Sequence, residues 1–152
     1  MTDELDRIER EIAIDAAASR VWTLISEPGW YINDGKIIEH RIEPSGDVDI
    51  VHDPVHGAFA IRTVTLDEPR YASFRWLADA TSADSPSTLV EFWIEETSPT
   101  SVVLKVAESG FASLPGDAAS RRKQLEDNTS GWKLELGLAQ QHLQDDRVSA
   151  AS

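Results

Sequence analysis

A carboxyl group placed among apolar residues is the first chemically informative feature of this sequence. Residues 102–108 alternate as a β-strand does, with Leu104 and Val106 on one face and Lys105 on the other. This alternation puts Glu108 on the same inward face as Leu104 and Val106. A carboxylate there loses water, so its pKa rises unless a hydrogen-bond donor satisfies it. Such a group could orient a polar group of a ligand or act as a general acid or base. Alternatively, Glu108 lies at the end of the strand and bonds to nearby backbone or to an arginine.

Aromatic residues spaced so that they face one interior form the second feature. We expect them, together with one leucine, to face the space between a sheet and a helix. Apolar walls with few polar groups are typical of small-molecule sites, and the same spacing is typical of a packed core, so both interpretations stay open. Gly131 costs about 1 kcal/mol of helix stability relative to alanine and leaves room beside its neighbour. The candidate ligand-binding residues are Trp30, Phe74, Trp76, Phe92, Glu108, Trp132 and Leu136.

Metal and nucleophile sites are not indicated by the sequence. His52 and His56 are four residues apart, a spacing that aligns metal ligands only on a helix, and Pro54 between them argues against a helix. The chain has no Cys, which excludes thiolate ligands and nucleophiles. It has no Gly-x-Ser-x-Gly elbow, Walker loop or Gly-x-Gly-x-x-Gly motif. We therefore expect no metal and no cofactor, and we assign no catalytic residue.

Composition excludes further classes of function. A chain of 152 residues with 41% hydrophobic residues and 5 Trp predicts one domain with a substantial core. No apolar run approaches the roughly 20 residues that span a bilayer, and the acidic N-terminus does not resemble a secretory signal, which favours the cytoplasm. The net charge of −13 argues against binding to nucleic acid or anionic membranes, because phosphate groups attract clustered Lys and Arg.

The elements that must position the candidate residues are strands followed by one long helix. The period-two segments are residues 8–14, 36–43, 48–52, 58–66, 71–77, 89–95 and 102–108. Residues 17–25 form a short helix, and residues 30–32 form a second short helix or a turn. Residues 117–144 form a long helix whose apolar stripe is Leu125, Trp132, Leu136, Ala139 and Leu143.

These elements predict an α+β fold built on one sheet. We expect a curved antiparallel sheet of six to seven strands, two short helices after the first strand, and the long helix across the concave face. Residues 1–7 are expected to be a disordered acidic tail, residues 8–144 a single domain, and residues 145–152 a second disordered tail.

Four short motifs occur in an order that a known superfamily shares. The first runs from Val21 to Pro28, the second combines residues 66–70 with 74–76, the third combines residues 87–92 with 108–111, and the fourth contains Gly131, Trp132, Leu136 and residues 138–143. Over residues 8–144 the chain thereby resembles the START-like, birch-pollen-allergen-like helix-grip superfamily, also called SRPBCC. Within it, the motifs resemble proteins homologous to the C-terminal domain of the activator of heat shock protein 90 ATPase.

The resemblance implies the fold and leaves three functions open. The first is a binding protein that holds a hydrophobic small molecule in a cavity between the sheet and the C-terminal helix. The second, implied by resemblance alone, is a protein of the stress response that interacts with a chaperone. The third is an enzyme of the polyketide cyclase or dehydratase type, for which Tyr31, His40 and Glu108 are the loosely suited side chains. The chain is expected to be a monomer or a homodimer.

Overall fold

A seven-stranded antiparallel sheet and two helices make up the fold over the range that the computed structural model describes, which is residues 7–79, 81 and 85–151. The strands are β1 (Arg7–Ile14), β2 (Arg41–Ser45), β3 (Val48–Asp53), β4 (Gly57–Asp67), β5 (Tyr71–Leu77), β6 (Ser87–Ser98) and β7 (Ser101–Ser109). The helices are α1 (Ala18–Ile25) and α2 (Ala118–Ala151), with a 3-10 turn at Phe111–Ser113. The strand order is β1-β7-β6-β5-β4-β3-β2, in a curved open sheet. The predicted α+β architecture is confirmed.

The inner face of the sheet is apolar because side chains alternate along each strand. In β7, Val102, Leu104 and Val106 are buried as expected for one face. Strand β7 pairs with β1 on one side and with β6 on the other, which places Glu108 opposite Ile8 and Val90. The predicted inward direction of Glu108 is therefore confirmed, and this carboxyl group lies between two aliphatic neighbours.

A tight turn after α1 carries aromatic residues into the interior. Trp30 N donates to Glu27 O at 3.3 Å and Ile32 N donates to Gly29 O at 3.0 Å, so this segment forms consecutive turns rather than a helix. Gly29 has φ +74°, and a Cβ there would lie 2.8 Å from a Val51 methyl carbon. Only glycine suits both this backbone conformation and this close approach. The turn buries both Trp30 and the neighbouring Tyr31.

Helix α2 begins at a side-chain cap and is anchored along its length. Asp117 Oδ1 accepts a hydrogen bond from Ser120 N at 2.8 Å, which satisfies a free amide of the first turn. The stripe Trp132, Leu136, Ala139 and Leu143 is buried against the sheet, and Gln140 Nε2 donates to Ala13 O at 2.7 Å beside β1. Neither described helix is both long and apolar enough to cross a membrane.

The helix also continues past the predicted end at residue 144, to Ala151. The predicted division of the chain into one domain and two tails stays a prediction. Residues 1–6 of the acidic tail and residue 152 lie outside the described residues.

The predicted strand at residues 36–43 is wrong in its first half and at its end. Residues 36–40 are irregular because Ile38 N donates to Asn33 Oδ1 at 3.2 Å and His40 Nε2 bonds to Asp53 Oδ1 at 2.9 Å. Pro44 was expected to end the strand, yet it lies inside β2 opposite Asp49. This is compatible with pairing because β2 is an edge strand, where a missing N–H can face solvent.

Candidate functional site

Glu108 is buried at the place where β7 meets α2. It is 1% exposed and accepts three hydrogen bonds. Thr88 Oγ1 donates to Glu108 Oε2 at 2.6 Å, while Trp132 Nε1 at 2.8 Å and Asn128 Nδ2 at 3.0 Å donate to Oε1. The donors come from β6 and α2, and none of them is the backbone or an arginine. Oε1 therefore has both of its acceptor positions used, and Oε2 keeps one acceptor position for a further donor.

The electrostatic setting of Glu108 follows from this burial. Desolvation raises the pKa of Glu108, and the hydrogen bonds from Thr88, Trp132 and Asn128 oppose the rise without cancelling it. The charged form is held by neutral donors and by no positive charge among these contacts. A carboxyl group in such a setting can accept a proton, or bind a donor group, more readily than an exposed one.

Four of the seven candidate residues belong to the packed core. Trp30, Phe74, Phe92 and Leu136 are each at most 2% exposed. The Trp30 and Phe92 ring centroids are 5.4 Å apart, and those of Phe74 and Phe92 are 6.2 Å apart, which are ordinary aromatic packing distances. Trp30, Phe74 and Phe92 form the apolar floor beneath α2, and Leu136 belongs to α2 itself. The role of all four as ligand contacts stays a prediction.

The other three candidate residues, Trp76, Glu108 and Trp132, line an open cleft with two compartments. The Glu108 compartment has a volume of about 240 Å³, and the Tyr31 compartment has a volume of about 120 Å³. Trp76 and Asn128 line both compartments and so stand between them. The cleft thus lies between the N-terminal half of α2 and strands β4 to β6. The Glu108 compartment is lined by residues that include Phe59, Trp76, Thr88, Glu108, Leu114 and Asn128, and the Tyr31 compartment by Tyr31, Trp76, Asp127, Asn128, Gly131, Trp132 and Glu135.

Several residues that line the cleft were absent from the candidate set, among them Thr88, Asn128 and Tyr31. Thr88 lies two residues before Val90 on the inner face of β6, so the alternation that found Glu108 also indicates Thr88. Asn128 precedes Trp132 by four residues on α2, which places the two side chains on one helix face. Tyr31 follows a turn, where no period fixes the side-chain direction, and the sequence signal for it is correspondingly weak.

A second polar network lies beside the cleft and holds His40 away from it. Asp53 accepts from the His40 ring at 2.9 Å and from the amides of Val55 and His56 at 2.9 and 2.7 Å. Burial would raise the pKa of Asp53, but the hydrogen bonds from His56, His40 and Val55 outweigh it and lower the pKa. His40 is therefore committed to a structural pair, and it does not join Tyr31 and Glu108 in one acid–base site.

The side-chain amide of Asn33 connects this network to helix α2. Asn33 Nδ2 donates to Glu135 Oε1 at 2.7 Å and to Trp30 O at 2.8 Å. Burial raises the pKa of Glu135, and the Asn33 hydrogen bond opposes that rise. His52 lies apart, with Nε2 3.1 Å from Glu43 Oε1, so the His52 and His56 side chains do not converge.

A larger hollow of about 1010 Å³ lies on the opposite face of the sheet. It is lined by Tyr71, Trp93 and charged residues of β1, β6 and β7. Its charges pair with one another, as Lys105 Nζ lies 2.9 Å from Glu95 Oε2 and Arg7 Nε lies 2.6 Å from Glu9 Oε1. It contains no candidate residue, and most of its lining residues are charged, whereas small-molecule sites are lined mainly by apolar residues.

Comparison with known proteins supports the fold. No protein-family model and no curated protein matches the sequence, whereas solved structures match along nearly the whole chain. XoxI from Bacillus cereus is 15% identical, with a TM-score of 0.69 over 93% of this chain and 98% of its own. An Aha1 dimer from Colwellia psychrerythraea is 15% identical, with a TM-score of 0.62 over 90% and 95%. A norcoclaurine synthase point mutant from Thalictrum, in complex with a transition-state analogue, is 15% identical, with a TM-score of 0.61 over 93% and 95%.

These similarities show that the chain has the helix-grip fold, and they confirm the predicted resemblance at that level. One of these proteins is a named synthase and another is an Aha1 dimer, so the shared fold does not select a function. The function has to be argued from the cleft.

Proposed function

We propose that this protein binds a small, largely apolar organic molecule in the cleft between α2 and strands β4 to β6. The observation that carries the proposal is the buried carboxyl group of Glu108 at the inner wall of an open apolar cleft. Apolar walls with a few convergent polar groups are the usual composition of small-molecule sites. The volume of the Glu108 compartment is slightly below roughly 300 Å³, which is the lower end of the range for small-molecule pockets. The Tyr31 compartment adjoins it.

The position of Glu108 favours a binding role over a packing role. Ile8 and Val90 are its cross-strand neighbours, and an aliphatic residue between them would avoid the cost of burying a carboxyl group. Three donors hold the carboxyl group in one orientation, so little freedom is left to be lost when a ligand binds. The remaining acceptor position on Oε2 is the point of attachment that we assign to the ligand.

A ligand screen tests the proposal directly. Freshly purified protein is analysed by native mass spectrometry for a retained molecule, and a library of apolar compounds is screened by thermal unfolding. A ligand at 100 times its Kd stabilises the folded state by about 2.7 kcal/mol, which for a domain of this size raises Tm by roughly 5–10 °C. Absence of a retained molecule, together with a library in which no compound raises Tm beyond replicate scatter, would show the proposal to be wrong.

The Glu108→Gln variant tests whether a compound found in the screen binds beside Glu108. Glutamine keeps the volume, its carbonyl oxygen can accept from Trp132 and Asn128, and its amide can donate to the Thr88 hydroxyl. The fold should therefore survive while the acceptor position on the second oxygen is lost. We expect binding of a donor-bearing ligand to weaken about tenfold, since hydrogen bonds to charged groups contribute about 1.5–3 kcal/mol. Glu96→Gln, an exposed position on β6, is the matched control and should leave the affinity unchanged.

A further inference from the structure

The Tyr31 hydroxyl is a buried polar group without a protein partner. Tyr31 is 4% exposed, and its hydroxyl finds no hydrogen-bond partner in the described part of the chain. Its ring lines the Tyr31 compartment. Burial, and secondarily the negative charge of Glu108, raise the pKa of Tyr31 well above its ordinary value. An unpaired buried hydroxyl destabilises the folded protein, and a ligand atom that bonds to it would offset part of that cost.

The polar groups around this compartment are mostly acceptors. Asp127 and Glu135 contribute carboxyl groups to its lining, and one of the two N–H groups of the Asn128 amide donates to Glu108. The Trp132 N–H is likewise used by Glu108. Lys123 is the cation near the rim, and it lies 3.0 Å from Asp127. A ligand with a carboxylate would meet like charges, whereas a ligand with a donor group would find acceptors.

The rings of Tyr31, Trp76 and Trp132 contribute to the lining of the compartment and pack against one another at a tilt. The Tyr31 ring centroid lies 4.9 Å from that of Trp132 and 5.1 Å from that of Trp76. The volume of about 120 Å³ is close to the roughly 150 Å³ of an engineered apolar cavity that takes up benzene. Aromatic faces also attract cations, because the face of the ring carries partial negative charge.

We infer that the Tyr31 compartment takes one end of the ligand, a flat ring of about benzene size that carries an ammonium or hydroxyl donor, and that it rejects a carboxylate on the same ring. This inference rests on the proposed function, because it assigns the chemistry of the ligand in the same cleft. The donor group bonds to the buried Tyr31 oxygen, and an ammonium group binds more tightly than a hydroxyl because the carboxylates of Asp127 and Glu135 in the lining are negative.

Benzylamine, benzyl alcohol and benzoate test the inference because they share one ring and differ in the polar group. Binding is measured from the tryptophan indole signals in two-dimensional NMR spectra at neutral pH. Fragments of eight or nine heavy atoms are expected to bind at about millimolar Kd. We expect benzylamine to bind most tightly, benzyl alcohol less tightly, and benzoate at least tenfold more weakly than benzylamine. Equal or tighter binding of benzoate would overturn the inference and leave the proposed function intact.

Two pairs of variants test whether benzylamine binds in the Tyr31 compartment. Tyr31→Phe removes a hydroxyl that has no hydrogen-bond partner in the described part of the chain, so stability should be kept or raised while benzylamine binding weakens about three- to tenfold. Tyr71→Phe, on the opposite face of the sheet, should have no effect on benzylamine binding. A Cβ at either Gly131 or Gly137 would meet nothing within 4 Å. Gly131→Leu should block benzylamine by filling the compartment, and Gly137→Leu should not.

The outcomes separate the inference from the proposed function. Binding that survives both Tyr31→Phe and Gly131→Leu lies elsewhere and contradicts the inference. If none of the three probes binds while native mass spectrometry finds a retained molecule, the inference is wrong and the proposed function stands. If both experiments are negative, both proposals are wrong.

Discussion

Glu108 is a buried carboxyl group whose cost is offset by three neutral donors. Desolvation is the larger effect, so the pKa of Glu108 lies above its ordinary value of 4.5. In the pH range between 4.5 and the folded-state pKa, the folded protein binds more protons than the unfolded chain. The free energy of unfolding therefore falls as pH rises through this range. The contribution is fully present below pH 4.5 and is lost as pH rises through the folded-state pKa.

Titration and denaturation measure this effect separately. We expect the carbon-13 signal of the Glu108 side-chain carboxyl to titrate above pH 4.5. Glu108→Gln cannot titrate, so the free energy of unfolding of the wild type minus that of the variant should fall as pH rises above that value. Urea denaturation at a series of pH values gives this difference, with Glu96→Gln as the control. A Glu108 pKa at or below 4.5 would contradict the dominance of desolvation.

The direction of a single side chain could be predicted from the sequence where the period of a strand or a helix fixes it. Alternation in β7 placed Glu108 inward, and the helical period placed Trp132 on the apolar face of α2. Alternation does not tell a packed aromatic ring from one that lines a cleft, because both face inward. Phe92 and Trp76 therefore looked alike in the sequence, although Phe92 is fully buried and Trp76 lines the cleft.

At the scale of elements, the predicted secondary structure is wrong where side-chain hydrogen bonds replace the backbone hydrogen bonds between strands. His40 and Ile38 read as strand residues, but their partners are the side chains of Asp53 and Asn33. Such pairings join residues that are distant in sequence, and no local pattern shows them. The strands β6 and β7 and the start of α2 were predicted within a few residues because their apolar spacing dominates, whereas the end of α2 lies beyond the predicted residue 144.

The two glycines inside α2 give a prediction about function and stability together. Both have room for a Cβ, and alanine is favoured over glycine in a helix interior by about 0.5–1 kcal/mol. Gly131→Ala and Gly137→Ala should each raise the free energy of unfolding by about that amount, measured by urea denaturation.

Ligand binding should separate the two variants. Gly131 lines the Tyr31 compartment and Gly137 does not, so only Gly131→Ala should weaken binding of benzylamine. A stability gain with a loss of binding at residue 131 alone would show that this glycine is kept for the cleft. Equal effects of both variants on binding would argue that the ligand lies elsewhere.

At the scale of the whole molecule, α2 is attached to the sheet at three places. At the end of β1, Gln140 donates to Ala13 O and Gln144 accepts from Asp15 N. Asn128 and Trp132 bond to Glu108 on β7, and Glu135 bonds to Asn33 before β2. All three attachments lie at or beyond residue 128. The turns before residue 128 form one side of the Glu108 compartment, through Gln124, and the described residues there are mostly exposed.

This arrangement predicts a gradient of local stability along α2. Residues 118–124 bury little apolar surface, whereas the buried stripe runs from Trp132 to Leu143. Segments with few buried contacts open at low free-energy cost. Hydrogen–deuterium exchange measured by mass spectrometry should therefore be at least about tenfold faster in residues 118–124 than in residues 132–143. A ligand in the cleft would pack against Gln124 and Asn128 and should slow exchange in the first segment more than in the second. Uniform exchange along α2, with or without ligand, would mean that its first turns are held by contacts other than these three attachments.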